Sequence, residues 1–361
     1  MVEKDTISIN DKRIRDYLTP YHYQKPVLSG SGKAGRFDEK AVDIPFVFFH
    51  EGKYYMVYTG FDGIGYQSAL AQSDDLFHWE FYCMILERHP ETERWDRGGG
   101  AVTWLIKEND DLRKVPCLKK VDGKYWMIYH AYPGTGYEAG SAEIGIAWCE
   151  TEDLKTWNFL EYPVFSWKDG ASWEKGGLYK ACVIWEKDMW YLFYNAKNKE
   201  NGNWNEQIGV AFSKDLLHWE RYAGNPVLRN GKNKWDCTFV ADPYVVKDGD
   251  IWLCFYYGIG LMDPEDDLYH AEDGLAISED LLHWTKVSEP VLRHGDNGAY
   301  DNHHAHKPSV FYKDGALYHF YCGTCKADKK YPTELFDEYR TICVAVNQES
   351  LLENKIGRAH V

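Results

Sequence analysis

The run "EGKYYMVYTG" at 51–60 returns four more times in this chain of 361 residues. The later copies are "DGKYWMIYHA" (122–131), "EKDMWYLFYN" (186–195), "DGDIWLCFYY" (248–257) and "DGALYHFYCG" (314–323). Each couples a turn-forming dipeptide to alternating aromatic and aliphatic residues, the pattern of a strand leaving a tight turn. A strand-like segment precedes each copy: "IPFVFFH", "VPCLKKV", "KACVIWE", "DPYVVK" and "KPSVFYK". A loop and a small-residue strand follow, as in "YQSALAQS", "EIGIAWC", "QIGVAFS", "DGLAIS" and "RTICVAV". Helix-length amphipathic segments are missing, which disfavours a solenoid. Repetition of four-stranded units predicts an all-β fold, a five-bladed β-propeller of antiparallel blades. Residues 36–350 form that single domain in this reading, 1–35 an N-terminal extension, and 351–361 a tail. The tail's "IGRAHV" reads as non-native or as the mark of a truncated end.

Two further periodic features read as scaffold. Four third strands run into "SDDLFHW", "TEDLKTW", "SKDLLHW" and "SEDLLHW". This Ser/Thr-x-Asp-Leu-x-x-Trp turn resembles the Asp-box-like turns of carbohydrate-active propellers, with the acid capping backbone amides and the Trp filling the gap between blades. An aromatic–acid pair also precedes each inner strand, supplying Asp38, Asp96, Glu174, Asp236 and Asp301. Fivefold recurrence points to a structural role, because catalysis needs asymmetry; Glu174 is kept as a site candidate as well.

Composition narrows the ligand. With 15 Trp and 27 Tyr the chain is rich in faces that stack on sugars and bases alike. A net charge of −15 then argues against a nucleic-acid partner, since phosphate binding leans on Lys and Arg. The N-terminal "MVEKDTISIND" lacks an apolar stretch behind a basic start, so no signal peptide is visible and a cytoplasmic location is expected. No apolar run is long enough to span a bilayer, so no membrane partner is expected. The nine Cys sit mostly in strand-like segments, and Cys322 and Cys325 form a lone CxxC that reads as structural.

In an antiparallel blade the start of strand one, the end of strand two and the start of strand three share a face. The long, unequal loops lie on that face, where function is grafted. The inner-strand starts there differ: Asp43 in the first, Arg113 and Lys114 in the second, Lys180 in the third, Asp242 in the fourth, and His304, His306 and Lys307 in the fifth. Glu206 and Glu272 begin third strands on the same face. Buried charges at the centre of a fold are costly unless they pair or act. Two acids, several cations and a His converging on one funnel suit glycoside hydrolysis, in which one carboxylate activates water and an acid protonates the leaving oxygen. A mutually neutralising ring around a water-filled axis is the alternative.

The blade pattern, with "VDIPFVFF" and "ADPYVVKDGDIW", resembles the five-bladed propeller glycoside hydrolases of families 43 and 117, and more loosely family 130, over residues 36–350. The resemblance implies Asp43 as general base and Asp242 as the acid that orients or tunes the proton donor. The usual Glu donor has no counterpart at an inner-strand start, and His306 stands there instead. Glu206, Glu272 and Glu174 are rival donors, while His304, Lys307, Lys180 and Arg113 are substrate-binding candidates. The expected ligand is a plant or algal oligosaccharide, cleaved by an exo-acting, inverting enzyme. No cofactor is required in this reading, with a central Ca²⁺ or Zn²⁺ ion left optional. A phosphorylase drawing phosphate to Lys180, Lys307 and Arg113, and a non-catalytic sugar-binding propeller, stay open as alternatives.

Overall fold

The computed structural model describes residues 6–198, 204–231, 235–327 and 337–356, and turns each repeat into an antiparallel meander. Two short strands, β1 (Tyr21–His22) and β2 (Leu28–Ser29), come first. The first repeat is β3 (Ala41–His50), β4 (Lys53–Phe61), β5 (Tyr66–Ser73) and β6 (Glu80–Leu86). The second is β7 (Gly100–Leu105), β8 (Lys120–Val121), β9 (Lys124–Ala131), β10 (Glu143–Cys149) and β11 (Asn158–Phe159). The third is β12 (Leu178–Glu186), β13 (Met189–Asn198), β14 (Asn205–Ser213) and β15 (Glu220–Arg221). The fourth is β16 (Phe239–Asp248), β17 (Ile251–Ile259), β18 (Ala271–Ser278) and β19 (Thr285–Lys286). The fifth is β20 (His304–Lys313), β21 (Ala316–Lys326) and β22 (Glu338–Val346), followed by helix α1 (Ser350–Ile356). The chain is thus all-β, as its periodicity predicts. Parts of two of the long loops, 199–203 and 328–336, and the tail end 357–361 fall outside the described residues.

The repeats are linked at their inner ends. Single parallel pairs, Glu206↔Phe239 and Glu272↔Ala305, join the third, fourth and fifth sheets. First strands pack on one another in series: β3 on β7, β7 on β12, β12 on β16, β16 on β20, and β20 on β3. The segment read as an N-terminal extension supplies β1 and β2, which both pair with β22 and complete the fifth sheet's outer edge.

One inner strand lies elsewhere than expected. "VPCLKKV" is not the first strand of the second repeat; β7, residues 100–105, takes that place. Pro116 before an apolar run mimicked the Pro45, Pro243 and Pro308 pattern, but residues 106–119 are an insertion on the face opposite the long loops. Asp111 of this insertion bridges Lys247 in the fourth repeat, and Cys117 bridges Phe49 in the first. Arg113 and Lys114 go with it, Arg113 bonding Asp248 at 2.7 Å and Lys114 lying 3.7 Å from Asp111.

Local chemistry explains the regularity. Glu51–Gly52, Asp122–Gly123, Lys187–Asp188 and Asp314–Gly315 all hold positive φ at both positions, the turn that matches strand twist. In the Ser/Thr-x-Asp-Leu-x-x-Trp turns, Asp75 Oδ1 accepts from the backbone N–H groups of Phe77 and His78, and Asp215 and Asp280 repeat the pattern. The leucines adopt left-handed φ (72° at Leu76, 71° at Leu281) and are driven into the core. Each Trp indole N–H donates to that leucine's carbonyl, and Trp79 then packs edge-on against Phe320 of the neighbouring fifth repeat.

The five recurrent acids share one arrangement. Each accepts from a tyrosine of its own second strand: Asp38 from Tyr58, Asp96 from Tyr129, Glu174 from Tyr194, Asp236 from Tyr256 and Asp301 from Tyr321. Each also has one nitrogen-bearing side chain beside it, in order Arg36, Arg94, Arg221, Lys286 and His22. Glu174 is therefore scaffold rather than a substrate ligand, its carboxylate filled by Tyr194, Arg221 and the N–H of Ala171. Removing one partner of such a buried set strands the others. Asp96→Ala is expected to lower unfolding free energy by about 3 kcal/mol in urea titrations.

Candidate active site

All five first strands bulge where they enter the central face. Register shifts fall between Asp43 and Phe46, Val102 and Trp104, Tyr179 and Ala181, Ala241 and Tyr244, and His306 and Ser309. At three of them a residue before proline takes left-handed backbone: Ile44 (φ 51°), Asp242 (φ 55°) and Lys307 (φ 69°). Such backbone is costly for residues with a side chain, above all the β-branched Ile44, and bulges re-aim side chains where it persists. The bulge also corrects the alignment read from sequence. Asp242 shares its position with Ile44 and Lys307, whereas Asp43 shares the preceding one with Ala241 and His306.

These side chains surround a cavity of about 20 Å³, room for about one water. Lys180, Glu206, Asp242 and Lys307 line it, joined by His130, Glu138, Asn195, Lys197, Tyr179 and Tyr257. Asp43 and His306 sit immediately behind the wall. His304, Glu272, Glu174 and Arg113 are not part of it. Glu272 is held by His294 Nδ1 at 2.8 Å, with Arg293 at 3.9 Å. His304 accepts the Ala271 N–H on Nδ1 and lies 3.3 Å from Glu338 through Nε2.

Asp43 is saturated. Its Oδ2 accepts from Lys307 Nζ at 2.6 Å and Arg340 Nη1 at 3.1 Å, and its Oδ1 from the Ile44 N–H at 2.8 Å. Burial works against its charge, yet Lys307 and Arg340 outweigh it and hold the carboxyl well below the usual range. Arg340 is shared with Glu338 at 3.0 Å.

A second group centres on Lys197, whose ammonium bonds Glu138 and lies 3.7 Å from Glu206. The two carboxyls are pushed apart. Glu138 is held down, Lys197 and Lys307 overcoming its burial, whereas burial raises Glu206. Glu206 accepts from Asn195 Nδ2 at 2.7 Å and Trp204 Nε1 at 3.0 Å. The same Asn195 amide reaches Asp242 at 3.3 Å, and burial raises Asp242 too. Lys180, whose Nζ donates to the Pro308 carbonyl at 3.1 Å, is depressed by burial.

His306 is ill-suited to the donor role expected of it. Its Nδ1 lies 3.1 Å from the Cys322 carbonyl, and burial, with Lys307 and Arg340 beside it, drives its proton affinity well below the ordinary value. At neutral pH the ring has no spare proton to give. For the optional metal, the described residues offer two groups, one of them His50, Glu51 and Glu152. His303, His304 and Glu338 bring ligand atoms within 4.8 Å of one another. His304, however, uses its Nδ1 lone pair on Ala271, so Nε2 carries the proton and donates to Glu338. A ring in that tautomer offers a cation nothing.

Sequence reasoning passed over Glu138, Lys197, Asn195, His130 and Arg340. Glu138 sits in the loop "HAYPGTGYEAGSAE", flagged as functional, at left-handed φ (47°) between Gly136 and Gly140. Arg340 begins the third strand of its repeat, as Glu206 does, and that shared offset was the available signal.

The buried histidines give the site a pH signature. Burial depresses His130 to about 3, and His306 is depressed as well. Unfolded histidines titrate near 6.5, so below that value the unfolded chain takes up protons that the folded chain refuses. Folding free energy is expected to fall as pH drops from 6.5 toward 5, by up to about 1.4 kcal/mol per pH unit for each such histidine. Urea titrations across this range check it, and His130→Asn should flatten the slope by one proton's worth.

A family model described as "Glycosyl hydrolases family 32 N-terminal domain" matches residues 116–275. A β-1,2-mannobiose phosphorylase of Thermoanaerobacter sp. (strain X514) is 28% identical over 168 residues, 41% of this chain and 54% of that protein. An uncharacterised protein of Mycobacterium tuberculosis, Rv1502, is 30% identical over 160 residues, 41% of this chain and 52% of its own. The chain thus spans about half the length of the curated relatives it matches. Among solved structures, a BT0996 complex with RGII is 29% identical with a TM-score of 0.76, the match covering 94% of each protein. A thermostable family-43 glycoside hydrolase, 21% identical over 88% of this chain and 91% of its own, shares the fold at a TM-score of 0.60. These likenesses agree with the resemblance read from the sequence in its broad form: the chain is similar to glycoside-hydrolase-like proteins, with family 43 and family 130 proteins among its structural neighbours.

Proposed function

We propose that the chain is an exo-acting glycoside hydrolase whose five repeats close as the blades of a propeller around the charged cavity. Support for closure comes from the packing of β20 on β3, which returns the series of first strands to its start. Support for the chemistry comes from one observation above the rest. Glu138 and Glu206 flank a single ammonium, and their surroundings displace their proton affinities in opposite directions. Two carboxyls tuned apart in one site define an acid and a base.

In this mechanism Glu206, whose proton affinity burial raises, gives its proton to the glycosidic oxygen as that oxygen leaves with its electron pair. Glu138, ionised, acts at the anomeric carbon. Its contact with Lys197, and the 3.7 Å from Lys197 to Glu206, cap the gap between the carboxyl oxygens below the roughly 6.5 Å at which inverting pairs begin. That spacing favours retention, with Glu138 as nucleophile and water releasing the sugar in a second step that returns the proton to Glu206. The inverting outcome expected from sequence rested on Asp43 as base. In the present reading Asp43 instead fixes Lys307 and Arg340, and Asp242 shares the Asn195 amide that steadies Glu206. No cofactor takes part.

An oligosaccharide substrate is favoured by the likeness to the protein solved as an RGII complex. The likeness to mannoside phosphorylases keeps phosphorolysis as the second reading. Against it, Arg113 lies on the opposite face and Lys307 is committed to Asp43, leaving only Lys180 of the three cations expected to gather phosphate. A panel of 4-nitrophenyl glycosides, with and without phosphate, tests the proposal. Turnover independent of phosphate, with the product anomer matching the substrate by NMR, is the expected result. Glu206→Gln and Glu138→Gln should each cut kcat by about a thousandfold. Strict phosphate dependence would establish phosphorolysis, and silence across the panel a binding protein.

A further inference from the structure

In four repeats a short turn joins the first strand to the second; the second repeat inserts residues 106–119 there. This insertion walls a cavity of about 280 Å³ on the face opposite the charged centre. That volume stands at the lower end of small-molecule sites, about 300 Å³. Two cross-strand pairs form the other walls, Trp185 with Trp190 in the third repeat and Lys247 with Trp252 in the fourth. Trp185 shares its side of β12 with Val183, which also lines the cavity. It keeps 40% of its surface exposed and is backed by the Trp190 ring, 4.6 Å away between centroids.

The insertion contributes Lys107 and Asp110. The Lys107 side chain is only 2% exposed, yet among the described residues its ammonium has a single polar partner, Asp110 at 3.4 Å. Its other close neighbours are the rings of Trp104 and Tyr244, at 4.4 and 5.5 Å. An ammonium carries three donors, and withdrawing it from water is costly unless they are answered. Asp110 is pinned through Oδ2 by the Trp185 N–H at 3.3 Å, while Oδ1 stands beside Lys107. Burial lowers the proton affinity of Lys107 and raises that of Asp110 against their mutual attraction. What the pair lacks is a group that accepts from one and donates to the other, and a hydroxyl does both.

We propose that this cavity is a second, non-catalytic site for a neutral sugar, its adjacent hydroxyls bridging Lys107 and Asp110 and its C–H face lying on Trp185. Charge selects the ligand class. An anion would meet Glu108, Asp111 and Glu186 in the same walls, and a cation would meet Lys107, Lys119 and Lys247. Glu186 and Lys247 neutralise each other at 3.3 Å. Occupancy here is independent of which carboxyl at the charged centre gives the proton.

Calorimetric titration with galactose, glucose, mannose, rhamnose and arabinose, beside galacturonate and glucosamine, tests the site. A neutral sugar should bind more tightly than either charged one. Trp185→Ala, a change at the surface, is expected to weaken that sugar about tenfold and to leave turnover of 4-nitrophenyl glycosides unchanged. Lys107→Met, which keeps the buried stem, should weaken it as well, whereas Glu206→Gln should not. A sugar that Trp185→Ala leaves untouched, or that Glu206→Gln alone displaces, sits at the charged centre and overturns the proposal. Preference for galacturonate or glucosamine overturns it too. If no sugar in the panel binds while 4-nitrophenyl glycosides are still cleaved, the second site falls and the hydrolase reading stands.

Discussion

The hydrogen bond from a second-strand tyrosine to a buried acid, made once in every repeat, is the contact on which the rest of the structure depends. It ties the segment just before each first strand to the middle of the second. That tie fixes where the first strand begins, and so where its bulge falls. A carboxylate taken from water needs more than one partner. The further partner comes from one of three places: a preceding residue for Asp38 and Asp96, a fourth strand for Glu174 and Asp236, and the N-terminal arm for Asp301. The shared part makes the frame regular, and the variable part lets the loops differ.

Inside the frame, the centre concentrates charge that would be ruinous if unpaired. Asp43, Lys307 and Arg340 form one neutralising group, with Glu338 beyond it; Lys197, Glu138 and Glu206 form another. The two groups differ in what they leave available. Every oxygen of Asp43 is spoken for, whereas Glu206 is raised by burial and stands at the cavity wall.

Much of this was legible in the sequence. Repeats, hairpin turns and capped Asp turns are local patterns, set by φ preference and by hydrogen bonds a few residues apart, so period alone revealed them. Asp242, Glu206, Lys180 and Lys307 were found because strand topology sends particular positions to one face. What failed depended on non-local fact. Pro116 imitated a first strand because an insertion can copy a local pattern without sharing its place. His306 looked like a proton donor because its burial among two cations cannot be read from neighbours in the chain. Glu138 was missed because a glycine-rich loop carries no period, and only its reach to Lys197 gives it meaning.

The N-terminal strands have a consequence for how the molecule assembles. β1 pairs Tyr21 with Val346, and β2 pairs Leu28 with Ile342, so the last sheet borrows its outer edge from the opposite end of the chain. Four repeats can complete their sheets from neighbouring sequence, as local contacts allow. The fifth must wait for a loop of over three hundred residues to close, the most entropically demanding step that the topology contains. Until then Tyr321 and Asp301 lack His22, and the edge of β22 is open to any other strand. The seam is thus both the join between the N-terminal arm and the fifth repeat and the site where an unfinished molecule is most exposed to pairing with a second copy.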